Sequence, residues 1–166
     1  MSVRVRTAAP ADAEVIAAIH NQGVADRVAT LRTEPREADD VLGAIAAARP
    51  LLVAESAGGE VMGWAGVGPY DDRSEWYLGV GEATVYIARG ARGTGFGRIL
   101  LAALEASAYQ AGYFKLIAKV FDTNAASMRL FIGADWDEVG MHRRHGLLDG
   151  EWKDVVVLEK FLPGTS

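Results

Sequence analysis

No cysteine occurs among the 166 residues, so disulfides, thiolate metal sites and cysteine nucleophiles are excluded together, and redox usage says nothing about compartment. Basic residues are in deficit as well: 17 Lys and Arg against 22 Asp and Glu leave a formal net charge of -5. The averaged field repels polyanions, so nucleic acid and anionic lipid are not expected as partners. No apolar run approaches the ~20 residues that a membrane-spanning helix needs. The opening Met-Ser-Val-Arg-Val-Arg-Thr alternates charged and apolar residues where a signal peptide would carry an unbroken apolar core. The expected location is therefore the cytoplasm. Repeats, low-complexity tracts and linkers are missing too, which predicts one domain over residues 1–166.

What is present is an ordinary globular composition, 50% hydrophobic and 23% charged. Val3 to Thr7 alternates as a strand, and Pro10 to Asn21 places Val15, Ile16 and Ile19 at helical spacing behind a first-turn proline. A second, alanine-rich helix is expected around Asp39 to Ala48, stopped before Pro50. Leu51–Glu55 and Val61–Val67 read as a hairpin about Gly58-Gly59, and Gly81 to Ile87 reads as a central strand. An amphipathic helix carries Ile99, Leu100, Ala103, Leu104 and Ala108 and ends at Gly112. Strand Phe114 to Val120, helix Asn124 to Ile132, and strands Asp137 to Arg144 and Trp152 to Phe161 complete the pattern. Several neighbouring strands are hairpins and the βα repeat is not strict, which predicts a mixed α+β sheet in preference to a doubly wound parallel one.

The chemistry concentrates in Arg92-Gly-Thr-Gly-Phe-Gly97-Arg98, which follows an extended segment and opens a helix. Backbone N–H groups at such a junction converge on an anion at the positive end of the helix dipole. A dinucleotide fingerprint is excluded because its third glycine would come one residue later, and a P-loop because Gly90 to Gly95 is followed by Phe96 and not Lys. The remaining pattern, R-x-x-G-x-G at Arg92, Gly95 and Gly97, resembles the pyrophosphate-binding motif of the GCN5-related N-acetyltransferases (GNAT). The order of elements fits that fold along essentially the whole chain, with a twisted mixed sheet of about six to seven strands and about four helices.

Further segments are similar to the phosphinothricin N-acetyltransferases: Asn21-Gln-Gly, Thr30 to Pro35, Gly81 to Ile87, Gly140-Met and Gly150 to Val155. Arg27-Val-Ala-Thr, Lys115-Leu, and His145 with Leu148-Asp-Gly resemble the arsinothricin branch. That resemblance implies acetyl transfer from acetyl-CoA to the amino group of a small amino-acid-like toxin, without a metal, in a homodimer. It implies cofactor contacts from Val85, Tyr86 and Ile87 on the strand, from Arg92, Gly93, Thr94, Gly95, Phe96, Gly97 and Arg98 in the loop, and from Asn124 and Ser127 on the next helix. For substrate it implies Asn21, Arg73, Glu82 and Thr84, with Glu82 as general base: an α-amino group is mostly protonated at neutral pH and attacks a thioester only through its free lone pair. Arg73 would hold acidic groups of the substrate. Read without the resemblance, Glu82 is also a solvated strand-end carboxylate, Arg73 a solvated loop cation and Asn124 a plain helix cap. Methionine sulfoximine or sulfone, an unrelated amine or a protein N-terminus remain alternative acceptors, and an acyl-CoA sensor without turnover is the non-enzymatic alternative.

One stretch departs from the related enzymes. They carry a histidine where Leu130-Phe-Ile-Gly-Ala-Asp-Trp136 places Phe131, so no general acid is assigned there, and Asp135-Trp136 replaces a Gly-aromatic pair. A thiolate leaving group, with a conjugate acid of pKa about 8.5 by analogy with cysteine, leaves with little help. His142 and His145 would face opposite sides of a regular strand, which argues against a metal pair. His20 is expected to be packed or capping. Tyr70, Trp76 and Tyr86 are candidate pocket walls.

Overall fold

The computed structural model describes residues 2–71 and 74–163. Seven strands form one sheet in the order β1-β2-β3-β4-β5-β7-β6. They are β1 (Arg4–Thr7), β2 (Leu51–Glu55), β3 (Val61–Pro69), β4 (Val80–Ile87), β5 (Lys115–Phe121), β6 (Asp137–Leu148) and β7 (Glu151–Phe161), and the helices are α1 (Ala13–Asp26), α2 (Ala38–Ala46), α3 (Phe96–Gln110) and α4 (Ala125–Gly133). Every neighbouring pair is antiparallel except β4 and β5. The mixed α+β architecture expected from the sequence is thus observed, with seven strands and four helices.

Alternation decides which helix covers which face. On β3, Ala65 and Val67 join Leu100, Leu101, Leu104 and Ala108 of α3 and Phe131 of α4 in one core, while Trp64 turns the other way against Ile16, Ile19 and Val41 of α1 and α2. Leu100, Leu101 and Leu104 have no exposed surface. Truncating a leucine packed like this to alanine typically costs about 2–5 kcal/mol. Arg6 links β1 to its surroundings, its guanidinium 2.6 Å from Glu55 and 2.7 Å from the buried Asp12. That contact holds the Asp12 carboxyl below the usual carboxylate range.

Two differences from the sequence reading have local causes. Helix α1 continues past Asn21 to Asp26, because Gly23 lets it pass over Tyr86; a Cβ at Gly23 would stand 2.7 Å from that ring. The two histidines of β6 do not diverge. A register shift lies between His142 and Gly146, Arg144 takes a left-handed φ of 46°, and the two rings stack with centroids 4.3 Å apart. Among the described residues no group of three or more metal-ligating side chains comes together, and no helix is long and apolar enough to cross a membrane.

Candidate active site

β4 and β5 pair over only three positions, from Val80↔Lys115 to Glu82↔Ile117. Beyond Glu82 the two strands part, and a cleft of ≈ 290 Å³ opens between them, floored by Glu82 to Tyr86 and Ala118 to Phe121 and reaching Asn124, Ser127 and Phe131. The edges of Val85, Tyr86 and Ile87 that face β5 have no ladder partner there. They remain free to pair with an extended ligand, except that the Ile87 carbonyl accepts a weak bond from Arg92 Nε at 3.4 Å.

At one end of the cleft stands the glycine loop. Gly93 and Gly95 take φ of +75° and +94°, in open space where an added Cβ would touch nothing, so backbone conformation is what glycine supplies. Gly95 ends the loop as the cap of α3 and no side chain caps that helix, which leaves the N–H groups of its first residues directed outward. Phe96 is buried in the core, so it offers only its backbone. Thr94 Oγ1 donates to the Ala91 carbonyl, and Arg98 is exposed. Arg92 is engaged: its Nη1 donates to Asp26 at 2.8 Å, and Arg89 binds the same carboxylate at 2.6 Å. Arg89 first and Arg92 second hold the Asp26 carboxyl below its usual range.

Asn124 is a helix cap in this structure. Its Oδ1 accepts from Ser127 N at 3.1 Å, and its Nδ2 donates to the Val28 carbonyl at 3.1 Å, tying the segment after α1 across the cleft. Leu31 of that segment sits where a Cβ on Gly146 would be, and Arg27 pairs with Asp149 at 2.7 Å. Asn21 is committed in the same way. Both ends of its amide bind the backbone of Arg36, at 3.0 and 2.7 Å, so it positions that segment with one of its two N–H donors and its oxygen.

At the other end Glu82 faces the helix α1 and α2 side of the sheet together with Thr84 and Tyr86. Their partners on β3 are Gly68, Gly66 and Trp64. Of the two glycines beside Glu82 and Thr84, Gly68 leaves the sheet surface open, an added Cβ there meeting nothing, whereas the buried Gly66 is covered by Leu51, 3.0 Å from where its Cβ would be. A bay results. Its far wall is Trp64 stacked on Tyr86 at 5.2 Å with His20 packed against both, and Arg36 lies 5.9 Å over the Trp64 ring. His20 is buried with neither ring nitrogen hydrogen-bonded, and burial first, then Arg36 and Arg32, pushes its pKa down to about 4. It is therefore the packed histidine expected from the sequence.

The near wall holds a group that the sequence reading passed over. Lys119 Nζ donates to Glu82 Oε2 at 3.1 Å and lies 5.9 Å over the Tyr70 ring, itself edge-on to Tyr77. A lysine interrupting the apolar run Leu116 to Phe121 on a central strand was the available signal. Arg36 carried none, since only the bonds of Asn21 bring it to the bay. Trp76 stands 65% exposed, which makes it surface and not a wall of this cleft. Arg73 lies outside the described residues. Phe131 is buried edge-on to Trp136, and Asp135 takes a φ of +62°, the conformation the related glycine would supply.

The sequence matches the model of the acetyltransferase (GNAT) family over residues 17–133. It is 33% identical to an L-methionine sulfoximine/L-methionine sulfone acetyltransferase of Pseudomonas paraeruginosa, with 99% of this chain and 98% of that protein aligned. It is 32% identical to a phosphinothricin N-acetyltransferase of Alcaligenes faecalis, over 94% and 81% of the two chains. The crystal structure of a GNAT superfamily phosphinothricin acetyltransferase from Sinorhizobium meliloti in complex with AcCoA superimposes with a TM-score of 0.91 at 25% identity, covering 98% of this chain and 89% of that one.

Proposed function

The chain belongs to the acetyltransferase (GNAT) family, and from that premise we propose that it moves the acetyl group of acetyl-CoA to the amino group of a small amino-acid-like acceptor of the phosphinothricin or arsinothricin type. The observation that carries this reading is Glu82, standing where β4 and β5 part and beside the open sheet surface at Gly68. The cleft fits acetyl-CoA. Pyrophosphate would take the N–H groups of Gly93 to Arg98, and the pantetheine arm would lie against the unpaired edges of Val85 to Ile87, with Asn124 and Ser127 opposite. Arg92 then acts by holding the loop to Asp26.

An acceptor amine lodged over Gly68 would lose its proton to Glu82, directly or through a water, and attack the thioester; CoA leaves as its thiolate. Thr84 and the Trp64–Tyr86 wall would flank the acceptor. Acid groups on the acceptor find Arg36, with Lys119 as the second cation of a lining in which Glu82 is the acid. Arg73 retains the substrate-holding role that the resemblance implies. A second acceptor class, methionine sulfoximine or sulfone, is favoured by the relative at 33% identity. We further propose that the chain works as one domain, in the cytoplasm, as a homodimer; the outer strand β6 exposes Val139, Met141 and Leu147, which supports a subunit contact.

The test is release of CoA thiol from acetyl-CoA by purified protein against phosphinothricin, arsinothricin, methionine sulfoximine, glutamate, a polyamine and an N-terminal peptide. Selective release with phosphinothricin or arsinothricin supports the reading. Release with methionine sulfoximine alone moves it to the second class, and release with the peptide alone overturns the small-molecule acceptor.

A further inference from the structure

Glu82 already has an amine beside it. The chain contains four lysines, and three of them are held away from the cleft: Lys115 by Glu159 at 2.6 Å, Lys153 by Glu151 at 3.2 Å, and Lys160 by Glu105 and the Ala134 carbonyl at 2.8 and 2.7 Å. The fourth, Lys119, lines the cleft and places its Nζ 3.1 Å from Glu82 Oε2. It reaches that point because β5 leaves its ladder with β4 at Ile117, two residues earlier, so Lys119 leans from one side of the parted strands to the carboxylate on the other. Among the described residues its polar partner is Glu82 and its ring contact is Tyr70, and its side chain is 45% exposed.

We propose that Lys119 is an internal acceptor, acetylated on Nζ by the protein's own acetyl-CoA when the bay is empty. This rests on the acetyl-CoA reading of the cleft. The step has the same balance as transfer to an outside amine. Glu82, or a water it holds, takes a proton from Nζ, and the freed lone pair attacks the acetyl carbonyl. The C–N bond forms as the C–S bond breaks, the second proton of the nitrogen passes to the departing thiolate directly or through water, and CoA thiol and Nε-acetyl-lysine remain. The product has lost its charge, so Glu82 is released from its ion pair and the bay keeps Arg36 as its cation. Self-acetylation would thereby change which acceptors the bay favours: an acidic acceptor loses one counter-charge, while an ammonium approaching Glu82 no longer competes with Lys119.

The experiment incubates the full chain with acetyl-CoA and no acceptor, then follows intact mass and maps the acetylated peptides, with thiol release toward the acceptor panel measured in parallel. The expected result is a single acetyl group at Lys119, formed with a first-order rate constant that does not change on diluting the protein. Glu82→Gln should slow that rate by about a hundredfold, and Lys119→Arg should leave no acetyl group on the chain. The inference is overturned if Lys119 stays unmodified while acceptors are turned over, a result that leaves the proposed function standing. It is equally overturned if acetyl groups spread over all four lysines at rates indifferent to Glu82→Gln. Absence of both acetylation and acceptor turnover would overturn the acetyl-CoA reading itself.

Discussion

Arg92 Nη1 stands 2.8 Å from Asp26 Oδ2, so the arginine of the glycine loop is anchored to the end of α1 instead of pointing at the space an anion would enter. The contribution to cofactor binding proposed for it is then positional. Asp26→Ala and Arg92→Ala should each raise the dissociation constant for acetyl-CoA by about fivefold, the scale of a partly exposed ion pair. The double variant should be no worse than either single one. Calorimetric titration with acetyl-CoA measures all three. A much larger loss in Arg92→Ala than in Asp26→Ala would mean that the guanidinium meets the pyrophosphate directly.

Gly95 takes a φ of +94° with room for a side chain, so Gly95→Ala isolates backbone strain from crowding. The folded state should lose about 1–2 kcal/mol, read as a fall in the urea midpoint. Acetyl-CoA affinity should fall further than stability, because re-aiming one peptide plane disperses several N–H groups at once. Loss of stability with unchanged affinity would separate the loop from the cofactor.

Much of the fold was legible because its cues are local. Alternation on β1, the Gly58-Gly59 turn between β2 and β3, the amphipathic spacing of α3 and the Gly112 stop are each set by neighbouring residues. At the candidate site, the loop glycines Gly93 and Gly95 stood out by their pattern and Glu82 by the resemblance alone. What escaped depends on contacts between distant segments. Arg36 enters the bay through Asn21, fifteen positions earlier. The stacked His142 and His145 depend on a bulge that pairing with β7 creates, and the strict alternation assumed for them fails there. Lys119 gains its meaning only from the parting of two strands.

Glu82→Gln keeps the shape of the bay and removes the proposed proton acceptor. Turnover at neutral pH should fall by about a hundredfold. Activity should partly recover as pH rises and a larger share of the acceptor amine arrives deprotonated. A pH–rate profile of wild type against variant checks this, and unchanged turnover at neutral pH would remove Glu82 from the mechanism.

Arg36→Ala tests which residue meets acidic acceptors among those the structure describes. KM for a dianionic acceptor should rise about tenfold or more, as for loss of a charge-assisted hydrogen bond, whereas KM for acetyl-CoA should stay within about twofold. Equal effects on both would assign Arg36 to the architecture of the cleft.

His20 gives the fold a dependence on acid that can be measured apart from catalysis. Its ring packs against Tyr86 and Trp64 with both nitrogens buried and unbonded, and its pKa is pushed from an ordinary 6.5 down to about 4. The folded state therefore holds the imidazole neutral while the unfolded chain binds a proton, and between these two values the unfolded state carries more protons. Stability from this group is complete above pH 6.5, declines as pH falls toward 4, and changes no further below that. The full effect is up to about 3 kcal/mol. His20→Phe keeps an aromatic ring against Tyr86 and cannot titrate. Urea unfolding at neutral pH and at about pH 4.5 should show wild type losing more stability than the variant across that interval. Asp12 and Asp26, whose lowered pKa values also cost stability in acid, are common to both proteins and cancel in the difference. Equal losses in the two proteins would mean that the imidazole accepts its proton in place, with the Trp64 and Tyr86 wall opening to water before the chain unfolds.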